Sequence, residues 1–148
     1  MRQQKILITA LILFISVASA SALERAAIPF SFNSSFGEPA SGVRLHFTDV
    51  YALEPLLGFH FQEDNSHFRF SIRNLFYISE IGTFEPYFVA ALRGDFDGNF
   101  GLDGRFALQH TLTGPLDIVG EVGFNTDFDP FQFYSAQAGL GIVFYIRQ

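Results

Sequence analysis

Apolar and polar residues alternate with a period of two along most of this chain, which is the pattern of a strand with two different faces. Residues 42–49, GVRLHFTD, are typical, because apolar side chains alternate there with polar or charged ones. The alternation and the turn sequences EDNS, DGN and TGP predict eight strands and leave no room for a helix longer than one or two turns. We place the strands at residues 28–36, 42–49, 57–62, 67–73, 84–95, 100–111, 116–125 and 133–146.

The bulk of the two faces decides which of them points inward. One face carries almost only Phe, Leu, Ile, Val and Ala, and the chain has 20 Phe in all. An eight-stranded barrel has barely enough interior room for its own side chains, so this face would crowd it. The polar face is slimmer, because glycines are interleaved with its charged residues. Lipid admits only helices and closed barrels. The sequence therefore predicts an all-β fold, an antiparallel up-and-down transmembrane β-barrel of about eight strands.

The polar face is then expected to fill the lumen as a charge network. Its arginines would neutralise its carboxylates, and its histidines would fill space through hydrogen bonds. The expected pairing sets the arginines at positions 44, 69, 93 and 105 against Asp103, Asp117 and Glu121. The predicted members of the network are Arg44, His46, His60, Arg69, Arg73, Arg93, Asp103, Arg105, Asp117 and Glu121.

The first residues have the layout of a secretory signal peptide. Arg2 and Lys5 precede a nearly unbroken apolar run at residues 6–17, and ASASA at residues 18–22 offers two A-x-A cleavage sites. The alternative is an N-terminal membrane anchor, but the run is well short of the ~20 residues that a spanning helix needs. We expect residues 1–22 to be cleaved and residues 23–148 to form one barrel domain.

Composition narrows the functional classes. Residues 23–148 hold seven arginines, no lysine and all 15 acidic residues, which gives them a net charge of −8 with His neutral. This balance argues against a nucleic-acid partner, which would need a basic patch. The chain has no Cys, so it has neither disulfides nor thiolate metal sites.

The last predicted strand resembles the assembly signal of the small outer-membrane β-barrel proteins of Gram-negative-type bacteria. The sequence QAGLGIVF fits that signal at Gln137, Gly139, Ile142 and Phe144, and FEPYFVAALRG and GPLDIVGEVGF also look like inner strands of the family. Family members usually end on the aromatic residue, whereas YIRQ follows Phe144 here. The resemblance implies a bacterial outer-membrane location and recognition of the last strand by the barrel-assembly machinery. It also implies contact with outer-membrane lipid and lipopolysaccharide.

An even number of strands would leave both chain ends on the periplasmic side. The segments GEPAS, QEDNS, DFDGN and NTDFDPFQ would then be extracellular. The predicted periplasmic connections, DVYALEP and ISEIGTFE, are no shorter than these, although the family usually has short periplasmic turns.

One acidic segment has part of the spacing of a calcium loop. DFDGNFGLD places Asp95, Asp97, Asn99 and Asp103 at loop positions 1, 3, 5 and 9. Residues 100 and 106 are Phe where such a loop needs Gly and Glu, so a plain Asp-Gly hairpin is favoured.

One histidine lies where some eight-stranded outer-membrane enzymes place a catalytic group. His110 alternates onto the outer face near the predicted periplasmic rim, but it is followed by Thr111 and Leu112, so there is no His-x-Ser pair. The sequence therefore favours an integral outer-membrane barrel with a structural or surface-interaction role, without catalysis, cofactor or metal. Two alternatives stay open: a lipid A-modifying barrel enzyme, and a soluble periplasmic barrel that binds an apolar ligand. A porin is disfavoured, because eight strands leave no aqueous channel.

Overall fold

The computed structural model describes residues 25–32, 39–60, 67–96, 98–128 and 131–147. Across this part of the chain, no helix is long and apolar enough to cross a membrane. The expected signal peptide at residues 1–22 lies outside the described residues and stays a prediction. The strands are β1 (Arg25–Ser31), β2 (Ala40–Gly42), β3 (Arg44–Thr48), β4 (Tyr51–His60), β5 (His67–Tyr77), β6 (Phe84–Asp95), β7 (Phe100–Thr113), β8 (Leu116–Phe128) and β9 (Phe131–Arg147).

The strands close into an antiparallel barrel. Each strand from β3 to β8 pairs with the next along the chain, and β1 pairs with β9 to close the sheet. Both β2 and β3 lie between β1 and β4, so together they occupy a single position. The predicted eight-stranded up-and-down barrel is confirmed.

A proline accounts for the interruption between β2 and β3. The N–H of Val43 donates to the Pro55 carbonyl on β4 at 3.2 Å. Pro55 has no N–H with which to return a hydrogen bond, so the ladder breaks at this residue.

The two faces are oriented as their bulk predicts. Arg44 and His46 point into the barrel and are buried, whereas Val43 on the outer face is 42% exposed. The same alternation holds on β5, where Arg73 and Leu75 are buried and Phe76 is exposed. The barrel therefore buries its charged face and exposes its apolar face.

Two strand predictions were too short. The third strand begins at Tyr51 rather than residue 57, so most of YALEPLL is strand, and the fourth continues to Tyr77 rather than ending at Arg73. Glu54 and Pro55 made the first of these stretches look like a connection, but the Glu54 side chain points into the lumen. The predicted first strand, residues 28–36, begins earlier, at Arg25, and residues 33–38 lie outside the described part.

These corrections change the lengths of the connections. We call the end of the barrel with Arg25 and Arg147 the lower rim and the opposite end the upper rim. The lower connections are residues 49–50, 78–83 and 114–115, and the strands that end at the upper rim stop at Ser31, His60, Asp95 and Phe128. The expectation that DVYALEP would be a long lower connection is wrong, because only Asp49 and Val50 separate β3 from β4.

Candidate functional site: the charged lumen

A bridge of ion pairs crosses the centre of the lumen. The Nε of Arg44 on β3 donates to Oε2 of Glu54 on β4 at 2.5 Å. Arg73 on β5 then joins two carboxylates: its Nη1 lies 2.9 Å from Oε1 of Glu54, and its Nη2 donates to Oε1 of Glu121 on β8. All four side chains are at least nine-tenths buried. Arg73 therefore links opposite walls of the barrel.

The bridge continues along β7. The Nε of Arg105 lies 3.0 Å from Oδ2 of Asp103, and its Nη1 lies 3.6 Å from Oε2 of Glu121. Arg105 lies directly across from Gly123 in the strand pairing. A Cβ on Gly123 would be 2.1 Å from the Gly104 carbonyl oxygen and 2.7 Å from Cγ of Arg105. The missing side chain at Gly123 thus gives the arginine its space.

Gln109 connects the ion pairs to the lower end of the lumen. Its Oε1 accepts from Nη1 of Arg44 at 2.6 Å, and its Nε2 donates to Oδ2 of Asp117 at 2.6 Å and to the Tyr145 hydroxyl at 2.9 Å. A weaker contact at 3.3 Å joins Nε2 to Glu85. Because arginine only donates and an ionised carboxylate only accepts, these neighbours fix the orientation of the amide.

A separate ion pair lies near the upper rim. Nη2 of Arg93 is 2.5 Å from Oδ1 of Asp127, across the position of Gly101. A Cβ on Gly101 would be 2.9 Å from both of these side chains. The absence of a side chain at Gly101 thus leaves room for this ion pair, as the absence of one at Gly123 leaves room for Arg105.

His46 lies in the lumen against aromatic rings. Its ring is fully buried, and neither of its nitrogens has a hydrogen-bond partner among the described residues. The ring instead contacts two aromatic rings, Tyr77 and Tyr145, at centroid distances of 5.3 and 5.8 Å. The hydrogen-bonding role expected for this histidine stays a prediction, and its observed contacts are with these two rings.

The structure pairs the predicted charges differently from the expectation. Arg44 contacts Glu54, which was not predicted, and Asp117 accepts from the neutral amide of Gln109. Arg69 is half-buried near the upper rim, opposite Gly58 and Asp95 in the strand pairing. His60 ends β4, and its side chain lies outside the described part. A network role for the predicted set stays a prediction.

Besides Asp127, the partner of Arg93, sequence analysis missed the lumen residue Glu54. The signal that could have found it is the alternation of Ala52, Glu54 and Leu56 on one face with Leu53 and Leu57 on the other. That pattern was available, but a proline beside a glutamate is more typical of a connection than of a strand.

The residues of the predicted assembly signal lie on both faces of β9. Gln137 and Gly139 point inward, and the amide oxygen of Gln137 accepts from Nδ2 of Asn125 at 2.7 Å. Ile142 and Phe144 point outward and lie between β8 and β1 in the sheet. Their role in assembly stays a prediction.

The described residues of the candidate enzymatic and metal motifs make ordinary packing and turn contacts. The Nδ1 of His110 is 2.9 Å from the Thr83 carbonyl, and its ring packs against Phe84. In the acidic segment, both carboxylate oxygens of Asp95 accept from Asn99, as in a hairpin turn, and Asp97 lies outside the described residues. Among the described residues, no group of three or more His, Asp or Glu side chains is placed to hold a metal ion.

A small cavity lies beside the ion pairs of the lumen. It has a volume of about 20 Å³ and a lining that includes Arg44, Glu54, Arg73, Val119, Glu121 and Val143. A volume of this size holds about one water molecule. This cavity offers no room for an organic ligand.

The fold and the lumen define a closed β-barrel with its apolar face outward and its charged face inward. No family model and no curated protein matches the chain. Among solved structures, the chain is similar to the crystal structure of Neisserial surface protein A (NspA), with 14% sequence identity and a TM-score of 0.48. The similarity covers 81% of this chain and 92% of that chain.

Proposed function

We propose that this chain is an integral outer-membrane β-barrel with a lumen closed by charge, and that its role is structural or in surface interaction rather than catalytic. The observation that carries the proposal is the inversion of the two faces. Large apolar side chains such as Phe88, Val122 and Leu140 are more than half exposed, whereas Arg44, Glu54 and Arg73 are buried.

In water, this arrangement would cost free energy twice, because it exposes apolar side chains on the outside and buries charged ones on the inside. Exposed apolar patches on soluble monomers seldom exceed a few hundred Å², whereas here the apolar residues recur on every strand around the barrel. Burying charges costs free energy unless each is paired, and hydrocarbon around the wall removes the alternative of exposing them. Lipid would solvate the outer face, and ion pairs offset much of the cost of the buried charges on the inner one.

The contents of the lumen support a sealed barrel rather than a pore or a carrier. The ion pairs reach from β3 across to β8, and the cavity beside them holds about one water. A soluble barrel that carries an apolar ligand would need a larger and less charged interior. Outer-membrane lipid, lipopolysaccharide and the barrel-assembly machinery are the partners that this proposal implies.

The first test is the gel migration of the outer-membrane fraction in SDS, with and without boiling. Closed membrane barrels stay folded in SDS until they are heated, so we expect a heat-dependent shift from a membrane fraction. Recovery as a soluble periplasmic monomer without such a shift would contradict the proposal.

A pair of substitutions tests the lipid contact itself. Val122 lies midway along the outer face of β8, and Ile81 lies in a lower turn; both are exposed. In lipid vesicles, Val122→Arg should lower the free energy of unfolding by about 2–4 kcal/mol and Ile81→Arg by at most about 1 kcal/mol. Equal and negligible losses would indicate that the outer face is in water.

A further inference from the structure

A proline interrupts the strand pairing on the β4 side of residues 42–43. The register of β2 and β3 against β4 is the same above and below these residues, so Val43 lies opposite Pro55. In an antiparallel sheet, two residues that face each other in this way exchange two hydrogen bonds. The N–H of Val43 donates to the Pro55 carbonyl, but the proline nitrogen has no hydrogen for the Val43 carbonyl. This pair therefore has one ladder bond instead of two.

A second proline faces the same residues from β1. The N–H of Phe32 donates to β9, and successive residues of a strand alternate between its two neighbours, so Pro29 faces β2. The register of β1 against β2 and β3 is also unchanged across residues 42–43, which places Pro29 opposite Gly42. Pro29 has no N–H for the Gly42 carbonyl, and its own carbonyl accepts from the Ser41 hydroxyl at 2.9 Å. Residues 42–43 thus lose a ladder donor on each side.

The ladder between β6 and β7 has no such gap. The two strands pair residue by residue from Phe84 to Gly94 of β6. Pro86 lies within this stretch, but the N–H of Ile78 donates to its carbonyl, so its nitrogen faces the lower end of β5 rather than β7. A proline at the end of a ladder interrupts less pairing than two prolines that face the middle of one strand.

An ion pair joins β3 and β4 beside the interrupted pair. Arg44 follows Val43 and Glu54 precedes Pro55, so in this register the two charged residues lie opposite each other inside the barrel. The Nε of Arg44 lies 2.5 Å from Oε2 of Glu54, and both side chains are at most 2% exposed. A charged hydrogen bond is about twice as strong as a neutral one. The ion pair can therefore hold the two strands together where a ladder bond is lost.

The inner side of this part of the wall is not completely filled. The cavity of about 20 Å³ beside the ion pairs is lined by Pro29 and Ser31 of β1 as well as by Arg44 and Glu54. Side chains that line a void have fewer contacts than those of a close-packed interior. Packing thus adds less support here than in a filled core.

We propose that residues 42–43 form a seam at which the barrel wall opens locally, and that the ion pair of Arg44 with Glu54 is the latch that keeps it closed. Opening means that the hydrogen bonds of β2 and β3 to their neighbours break transiently while the rest of the barrel stays paired. Because Arg44 directly follows Val43, an open seam would bring the end of the ion-pair bridge to the outer surface. The inference goes beyond the proposed function, since it concerns the wall of the barrel in detergent as well as in lipid.

Backbone amide hydrogen exchange tests the seam. The purified barrel is folded in detergent micelles, each variant is checked for the heat-dependent shift in SDS, and the exchange of single amides is followed by NMR. We take the amides of Val43 and Leu45 as the seam amides, and those of Leu102 and Phe106 on β7 as the reference. One net hydrogen bond corresponds to about tenfold in an equilibrium constant, so we expect the seam amides to be protected at least about tenfold less than the reference.

A proline substitution tests the cause of the opening. Pro55→Val supplies an N–H for the Val43 carbonyl and should slow exchange of the seam amides about tenfold. Pro86→Val is the matched control, because its nitrogen faces the lower end of β5, and should leave the seam amides unchanged. Equal protection of seam and reference amides in the parent barrel, or no slowing in Pro55→Val, would overturn the seam.

A charge substitution tests the latch. Glu54→Gln keeps the size of the side chain and should speed exchange of the seam amides more than that of the reference amides. Glu121→Gln removes the other carboxylate that contacts Arg73 and is the control for a general loss of stability. Equal effects of the two variants on the seam amides would overturn the latch, whereas an effect of Glu54→Gln that shrinks in the Pro55→Val background would support it. If Glu54→Gln does not fold, Arg44→Lys, which keeps the charge but loses Nε, takes its place.

Discussion

The inner and outer faces of this barrel use alternate residues of the same strands but are held in different ways. On β5, Arg73 contacts carboxylates on two other strands at defined atoms, whereas its outward neighbour Ile72 has only apolar surroundings to satisfy. Hydrophobic contact is non-directional, so many side chains suit the outer position. Ion pairs in a low dielectric are directional, so few side chains suit the inner one.

The difference shows that the sequence requirements are stricter on the inner face of the barrel than on the outer face. The outer face requires only apolar character, and changes of shape there should be tolerated. The inner face requires each charge to meet its partner and each glycine to leave room for it. Substitutions on the two faces should therefore differ sharply in effect even when they are only one residue apart.

The largest effect is expected for the arginine that joins opposite walls. Arg73→Leu leaves Glu54 and Glu121 without this partner in the closed lumen, and breaking a buried pair costs about 3–5 kcal/mol. We expect a loss of that size in the free energy of unfolding, measured by urea titration in lipid vesicles. Ile72→Leu, one residue away on the outer face, is the control and should change stability by less than about 1.5 kcal/mol.

A triple variant separates stranded charge from lost packing. Adding Glu54→Gln and Glu121→Gln to Arg73→Leu removes both carboxylate charges that the arginine neutralised. If charge dominates, the triple variant should recover a large part of the lost stability. Equal stability of Arg73→Leu and Ile72→Leu would show that the ion-pair bridge contributes little to the free energy of unfolding. The two faces would then not differ in how strictly they constrain the sequence.

The comparison also explains which parts of the structure the sequence could predict. The barrel and the orientation of its faces follow from alternation and bulk, which are local in sequence and recur on every strand. The partner of Arg44 was missed, although the alternation around Glu54 was available, because Pro55 beside it made this strand resemble a connection. The role of Gln109 depends on four side chains from four other strands, and only closure of the barrel brings them together.

A smaller effect is expected from glycines on the two faces of β8. A Cβ on Gly123 would meet the backbone oxygen of Gly104 and the side chain of Arg105, whereas a Cβ on Gly120 would have nothing within 4 Å. Overpacking of this kind costs about 1–3 kcal/mol. We therefore expect Gly123→Ala to lower the midpoint of thermal unfolding in SDS, and Gly120→Ala to leave it unchanged or slightly higher.

Equal unfolding midpoints for the two alanine variants would mean that the lumen accommodates an added methyl group as easily as the outer surface does. The inward glycine would then not be a positioning feature for Arg105. A second inward site, Gly101→Ala beside Arg93 and Asp127, provides an independent repeat of the test, because its added Cβ would be 2.1 Å from the Thr126 carbonyl oxygen.

The smallest effect is expected at His46, a buried side chain of the inner face. Both ring nitrogens are buried without a partner among the described residues, so the polar atoms cost desolvation without a compensating hydrogen bond. Phe keeps an aromatic ring between Tyr77 and Tyr145 and removes both nitrogens. We expect His46→Phe to raise the free energy of unfolding by about 1 kcal/mol. His46→Ala, which loses the ring contacts as well, should be less stable than the parent barrel. If His46→Phe instead lost as much stability as His46→Ala, the ring nitrogens would have a bound partner such as water.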